Sequence, residues 1–242
     1  MQFEFNFAPE RPTGRQGIRS VSDVPIELVR HPRARRYVLR LRADGSARVT
    51  IPRGGSVAEA RRFVGRQKIW LERQLQRLLA RPVLPREWGF GSNILFRGER
   101  LKLEPIANGK NGMVRFGTQQ LGLSGSPTDL RPAIERYLWR LAAKELPTRV
   151  FEYSKLHQIP IRRVTVRNQR SRWGSCSRRG TISLNWRLIQ APAFVRDYII
   201  LHELCHVRQM NHSRRFWQEV KRVCPDFQTA ERWLKQNSSL LK

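Results

Sequence analysis

The chain has 242 residues, 40% of them hydrophobic, with 47 Lys+Arg against 19 Asp+Glu and a formal net charge of +28. That length and apolar content suffice for one large domain or two modest ones and exclude disorder throughout. No apolar run approaches the ~20 residues that cross a bilayer, and MQFEFNFAPERPTG lacks a basic segment followed by an apolar stretch, so the expectation is a cytoplasmic protein with no membrane partner.

Residues 1–24 are polar, carry Pro9, Pro12, Gly14 and Gly17, and show no regular period, which predicts a flexible leader. In RYVLRLRADGSARVTIP, alternation on both sides of Asp44-Gly45 predicts a β-hairpin. Ser56 then caps a helix whose apolar positions, Ala60, Phe63, Val64, Ile69, Trp70, Leu75 and Leu78, recur at helical intervals until Arg81-Pro82, and this helix is expected to lie on the hairpin. From Pro82 to Pro127 the text is turn-rich, with short β-like pieces such as NILFRG and GMVRFG. A helical run begins near Pro132 and passes through Tyr137, Leu138, Leu141, Ala142 and Leu146, with a second stretch to Leu156. This change of texture divides a β-rich N-terminal region with one long helix, residues 25–128, from a C-terminal domain, residues 129–242. That domain reads as a strand from Arg163 to Val166, a loop NQRSRWGSCSRRG, a strand from Thr181 to Trp186, and several helices. Short strands followed by helices, without an internal repeat, indicate the α+β class.

Three of the five histidines fall within HELCHVRQMNH, residues 202–212. Pro192 suits a first helical turn and Phe194, Tyr198, Leu201, Leu204 and Cys205 form an apolar stripe, so residues 192 to about 210 should be helical. His202 and His206, four apart, then share a face and can bind one Zn²⁺, while Glu203, ~100° around, can act as general base on the zinc-activated water. A catalytic zinc needs a third protein ligand and an open position. On an unbroken helix His212 would lie ~9 Å further along the axis and ~120° off the face of His206. Met210-Asn211-His212-Ser213 contains a stop and a restart, Asn tolerating the left-handed conformation and Ser213 capping the next helix, so the chain can fold back and aim His212 at the metal. Glu219 and Glu231 are rival third ligands, with imidazole favoured as the commonest metal ligand. The following helix, with Phe216, Val220 and Val223 on one side, ends before Pro225 and should support the site.

Cys205 projects away from the line through His202 and His206, and Cys176, Cys205 and Cys224 are odd in number and lack paired spacing, which points to reduced thiols rather than a disulfide framework or a metal knuckle. In SRWGSCSRRG, Gly174 and Gly180 allow a tight backbone path. Arg172 and Ser175, with Arg187 further on, are candidate substrate-binding residues on a basic rim; the alternative is a solvated loop with Trp173 in the core. TISLNW offers an edge on which a peptide could lie extended. The net positive charge attracts polyanions, nucleic acid first, or else reflects the habit of an arginine-rich proteome.

The segments RWGSCS (172–177), ISLNWRLIQAP (182–192), DYIILHELCH (197–206) and NHSRRFW (211–217) resemble the YgjP-like zinc metallopeptidase family, related to the SprT and Wss-type proteases. RYVLRLRADGSARVTIP and RRFVGRQKIWLERQL resemble that family's N-terminal half, and the likeness covers residues 27 to 235. It implies a zincin-like C-terminal domain, His202, His206 and His212 as zinc ligands and Glu203 as catalytic base. The three-histidine spacing also matches metzincins, but those place Gly where this chain has Gln209. The expectation is a zinc-dependent peptidase acting on a peptide or protein, with possible nucleic-acid association. Two alternatives stay open: a metal-dependent hydrolase of nucleotides or other phosphoesters, and a nucleic-acid-associated protein whose zinc is structural.

Overall fold

The computed structural model describes residues 20–42, 44–80, 87–106, 112–124, 128–169, 171–238 and 240–241. The chain falls into two compact units, one holding the described residues 20–80 and the other those from 87 onward. Residue 129, where the texture of the sequence changes, lies inside the second unit, just before its first helix.

Of the expected leader, residues 1–19 lie outside the described residues, and Val21–Asp23 form a single 3-10 turn leading to the buried Val24. The hairpin around Asp44-Gly45 is present as β2 (Val38–Leu41) and β3 (Ala47–Ile51), with Leu41 opposite Ala47. Gly45 has a φ of 89°, and Asp44 Oδ1 accepts from the Ser46 amide at 2.8 Å. The sequence reading did not foresee β1 (Ile26–Arg30), which pairs parallel with β3 and makes β3 the centre of a three-stranded sheet. Its residues are exposed or half-buried without clean alternation, so period two is not visible there.

The single helix expected after Ser56 is two helices, α1 (Val57–Arg66) and α2 (Lys68–Leu79). Its start is as expected: Ser56 Oγ accepts from the Glu59 amide at 3.1 Å, and Glu59 Oε2 accepts from the Ser56 amide at 3.1 Å. The break falls at Gln67, with φ −97° and ψ 11°, two residues after Gly65, a residue that costs about 1 kcal/mol relative to Ala in a helix. The break lets each helix find its own patch of sheet: Ala60 packs with Val49 and Ile51, whereas Leu71 and Leu75 pack with Val24 and Ala47. Ile69 and Trp70, apolar in the sequence pattern, are left exposed.

In the second unit, NILFRG supplies β4 (Asn93–Phe96), which forms a hairpin with β5 (Glu99–Lys102). GMVRFG supplies β7 (Met113–Phe116), the centre of an antiparallel sheet with β6 (Glu104–Ile106) and β8 (Gln119–Gly122). The two helical stretches expected after residue 131 are one helix, α3 (Arg131–Leu156), which runs through Pro147. Pro147 has no N–H to donate, and Thr148 Oγ1 donates to the Lys144 carbonyl at 3.2 Å in the same turn. Ile134, Leu138, Ala142, Leu146 and Val150 give α3 one buried stripe.

Three further strands, β9 (Arg163–Arg167), β10 (Gly174–Cys176) and β11 (Thr181–Asn185), form a sheet in the order β10-β11-β9. The stretch WGSCS, read as loop, contains a strand, too short and too rich in small residues to show a period. TISLNW offers no edge: β11 is central, antiparallel to β10 and parallel to β9, and Trp186 already begins a 3-10 turn, Trp186–Gln190. The unit closes with α4 (Ala193–Arg208), α5 (Arg214–Val223) and α6 (Phe227–Asn237). The arrangement is α+β, as the order of the elements indicated. Among the described residues no helix is long and apolar enough to cross a membrane.

Candidate metal centre

Helix α4 packs against β10, β11, α3, α5 and α6, and nine of its residues are buried, from Val195 to His206. Most of the buried side chains are apolar, and Glu203 and His206 are buried among them, while Arg196, Asp197 and Arg208 make ion pairs. The helix ends at Arg208, earlier than expected, and the chain leaves through Gln209 in an extended conformation, φ −135° and ψ 96°. The left-handed Asn211 foreseen for the reversal is not used: among the described residues only Arg97 and Gln158 have a positive φ without being glycine. The extended exit presents the Gln209 carbonyl to His206, whose Nδ1 donates to it at 2.9 Å. Ser213 restarts the chain as the cap of α5, accepting from the Phe216 amide at 3.5 Å.

The reversal brings the third imidazole home. One ligand atom each from His202, His206 and His212 lies within 4.8 Å of the others, and the Nε2 atoms of His202 and His212 are 3.2 Å apart. Phe216 of α5 floors the cluster, stacked on His206 at 4.4 Å and meeting His202 and His212 edge-on at 4.9 and 4.8 Å. Burial lowers the pKa of all three rings, that of His202 to about 3 with the other two rings adding to the effect, so the protein alone holds neutral imidazoles with free lone pairs. Three neutral nitrogens converging this closely fit a tetrahedral or five-coordinate Zn²⁺, and no carboxylate or thiolate joins them among the described residues. The rival ligands are engaged elsewhere: Glu219 takes Arg208 at 2.6 Å and Arg222 at 2.8 Å, and Glu231 accepts from the Tyr198 hydroxyl at 2.9 Å. Cys205 is buried and its thiol pushed up to about 12 by burial, and Cys176 and Cys224 are also free thiols outside the cluster.

Glu203 is 6% exposed, and burial pushes its carboxyl up to about 8, with Arg172 the one opposing charge. Its seat is made by Gly174: a Cβ there would come within 2.6 Å of both Cγ and Oε1 of Glu203. The segment that carries Arg172 and Gly174 is tied to the sheet by Asn185, fully buried, whose Nδ2 donates to the carbonyls of Gln169 at 2.8 Å and Arg172 at 3.2 Å. Arg172 and Glu203 are thus electrostatic neighbours, as the sequence order alone could not show.

Ser175 and Arg187 are placed differently. Side chains alternate along a strand, so with Gly174 against Glu203, Ser175 points to the other face, where Gln169 Nε2 donates to its Oγ at 3.4 Å. Arg187 lies over the Trp186 ring at 4.5 Å, donates to Asn168 Oδ1, and has Glu135 and Arg131 of α3 as its charged neighbours. Neither side chain meets the histidine cluster in this arrangement. The sequence reading missed the seat at Gly174, the clamp at Asn185, and Tyr198, whose position four residues before His202 was the available signal.

Three imidazoles on a helix and its reversal, beside a buried carboxylate, are the donor set of a metal-dependent hydrolase. The model of the YgjP-like metallopeptidase domain matches residues 35–237, through both compact units, and the chain belongs to that family. Among solved structures it is similar to the metallopeptidase zymogen abylysin of Pyrococcus abyssi, at 22% identity and a TM-score of 0.35 over 38% of this chain and 93% of that one. It is also similar to the zymogen jannalysin of Methanocaldococcus jannaschii, at 24% identity and a TM-score of 0.30 over 36% of this chain and 92% of that one. No curated protein sequence matches the chain.

Proposed function

We propose that the protein is a zinc peptidase with a zincin-like C-terminal domain, in which His202, His206 and His212 hold the metal and Glu203 is the general base. The observation that carries this is the approach of three imidazoles to within 4.8 Å beside a buried carboxylate on the same helix. Zinc bound there supplies Lewis acidity to a water and to the scissile carbonyl. Glu203, held nearly dry by Gly174, takes the proton as water oxygen attacks the carbonyl carbon and returns it to the amide nitrogen as the C–N bond breaks. Arg172 is the nearby cation available to a substrate carbonyl or acidic side chain.

A peptide substrate is supported by the position of β10, an edge strand of its sheet among the described residues. Trp173 pairs with Asn185 and Ser177 with Thr181 through main-chain bonds of 2.8 and 3.0 Å, so Gly174 and Cys176 turn their own N–H and C=O groups away from β11. An extended peptide laid there would run past Glu203. The all-imidazole cluster disfavours phosphoester hydrolysis, which prefers carboxylate-rich sites, and a closed structural zinc, which takes four ligands. Three free thiols accord with a cytoplasmic location, and the +28 charge with a nucleic-acid partner, to be tested by a salt-dependent DNA shift.

The test is a peptide-library and nucleotide hydrolysis screen of wild type beside Glu203→Gln, with zinc measured in both. Peptide cleavage by the wild type alone, at equal zinc content, is expected. Normal turnover by Glu203→Gln removes that residue from the mechanism, and cleavage of nucleotides alone removes the peptidase.

A further inference from the structure

Glu231 was a rival metal ligand in the sequence, and its position in the structure gives it another task. Tyr198 and His202 are four residues apart on α4, with their rings edge-to-face at 5.7 Å. The Tyr198 hydroxyl is 3.4 Å from His202 Nδ1 and 2.9 Å from Glu231 Oε1, which comes from α6. Tyr198 is 3% exposed and stacks on Phe227, the first residue of α6, which stacks in turn on Trp217 of α5. The hydroxyl therefore has one position and two partners.

Their chemistry fixes the direction of both bonds. A carboxylate only accepts, so the single hydroxyl proton points to Glu231. The hydroxyl oxygen then has only lone pairs to offer His202, and Nδ1 must carry the proton. In a neutral ring that leaves Nε2 as the lone pair, and Nε2 is the atom lying 3.2 Å from Nε2 of His212. His206 is set the same way by a backbone carbonyl, since its Nδ1 donates to Gln209 O. On the reading of the histidines as zinc ligands, we propose that Tyr198 and Glu231 are positioning residues: a carboxylate–tyrosine relay from α6 that locks His202 in the tautomer presenting Nε2 to the metal.

Outer partners of this kind typically change metal affinity about 10- to 100-fold. Zinc dissociation constants measured by competition with a chelating dye, on the full chain, test the relay. Tyr198→Phe is expected to weaken zinc binding about 10-fold or more. Glu231→Gln, whose amide N–H can donate to the hydroxyl oxygen and so let its proton turn toward His202, is expected to weaken it as well. Because Glu231 acts only through the hydroxyl, the double variant should be no weaker than Tyr198→Phe alone. Nitrogen-15 shifts of labelled His202 should report a single Nδ1–H tautomer in the zinc-free wild type and a tautomer mixture in Tyr198→Phe, a signature that loss of packing would not produce.

Unchanged zinc affinity and an unchanged tautomer in Tyr198→Phe overturn the relay. Loss of zinc in Glu231→Gln as complete as in His202→Ala also overturns it, by making Glu231 a ligand. If His202→Ala itself retains zinc as tightly as wild type, the failure lies with the metal centre rather than with the relay.

Discussion

The sheets β1–β3 and β9–β11 follow one plan. In each the chain lays down two edge strands and then the central one, which pairs parallel with the first strand and antiparallel with the second. Each then leads into a helix, directly in the first unit and through a 3-10 turn in the second. The difference lies in where that helix rests. Helix α1 packs on the central strand β3, with Ala60 fully buried against Val49 and Ile51. Helix α4 packs most on the edge strand β10, with Glu203 against Gly174. Helix α1 adds mainly apolar contact through Ala60, whereas α4 lies beside an edge strand, where on the proposed function the Glu203 carboxyl can meet a substrate strand. The same topology therefore carries a packing helix in one unit and, on the proposed function, the catalytic helix in the other.

The two units should differ most at Glu203. Glu203→Gln should lower peptide turnover by about 10²- to 10⁴-fold with zinc retained, in the range of a lost general base. A smaller effect is expected from glycine, which both units use for close approach. Gly174→Ala puts a methyl within 2.6 Å of Glu203 and should reduce kcat, by about 10²-fold for a displacement near 1 Å, with zinc content unchanged. Gly55→Ala drives a methyl into the Tyr37 ring, 2.9 Å from Cζ, and should cost about 1–3 kcal/mol of stability in thermal unfolding while kcat stays at the wild-type value. Equal loss of activity in the two glycine variants would erase the distinction between the units.

The smallest effect is expected at Glu219, where the site region makes a purely structural contact. Arg222 and then Arg208 hold its carboxyl below the ordinary carboxylate value of 4.5. A depressed carboxyl adds stability that is present above its unfolded pKa and lost as pH falls through the folded one. Because both arginines are substantially exposed, Glu219→Gln should cost at most about 1 kcal/mol at neutral pH. The gap from wild type should close as pH drops below 4.5 in a thermal-unfolding series.

What could be read from the sequence was what local rules encode. The i, i+4 histidines and the Ser213 restart are local spacing and capping, and they appear as such. So does the Ser56–Glu59 capping box. Strand β1 was not readable because its faces are not cleanly divided between core and solvent, and the break at Gln67 because the apolar period runs on through Ile69 and Trp70. Strand β10 carries Gly, Ser and Cys, and its strand character comes from pairing with β11 rather than from propensity. The reversal at Gln209 was foreseen in place but not in form: an extended residue does what a left-handed Asn211 was expected to do. Tyr198 and Glu231 are 33 residues apart, and only the packing of α6 on α4 joins them.

On the proposed function, His202, His206 and His212 hold one metal ion without a fourth side chain. X-ray absorption at the zinc edge of the loaded wild-type protein measures this directly. One zinc per chain is expected, with three nitrogen scatterers at about 2.0–2.1 Å and at least one oxygen from solvent. A sulfur shell near 2.3 Å, or a spectrum unchanged by His212→Ala, would contradict it.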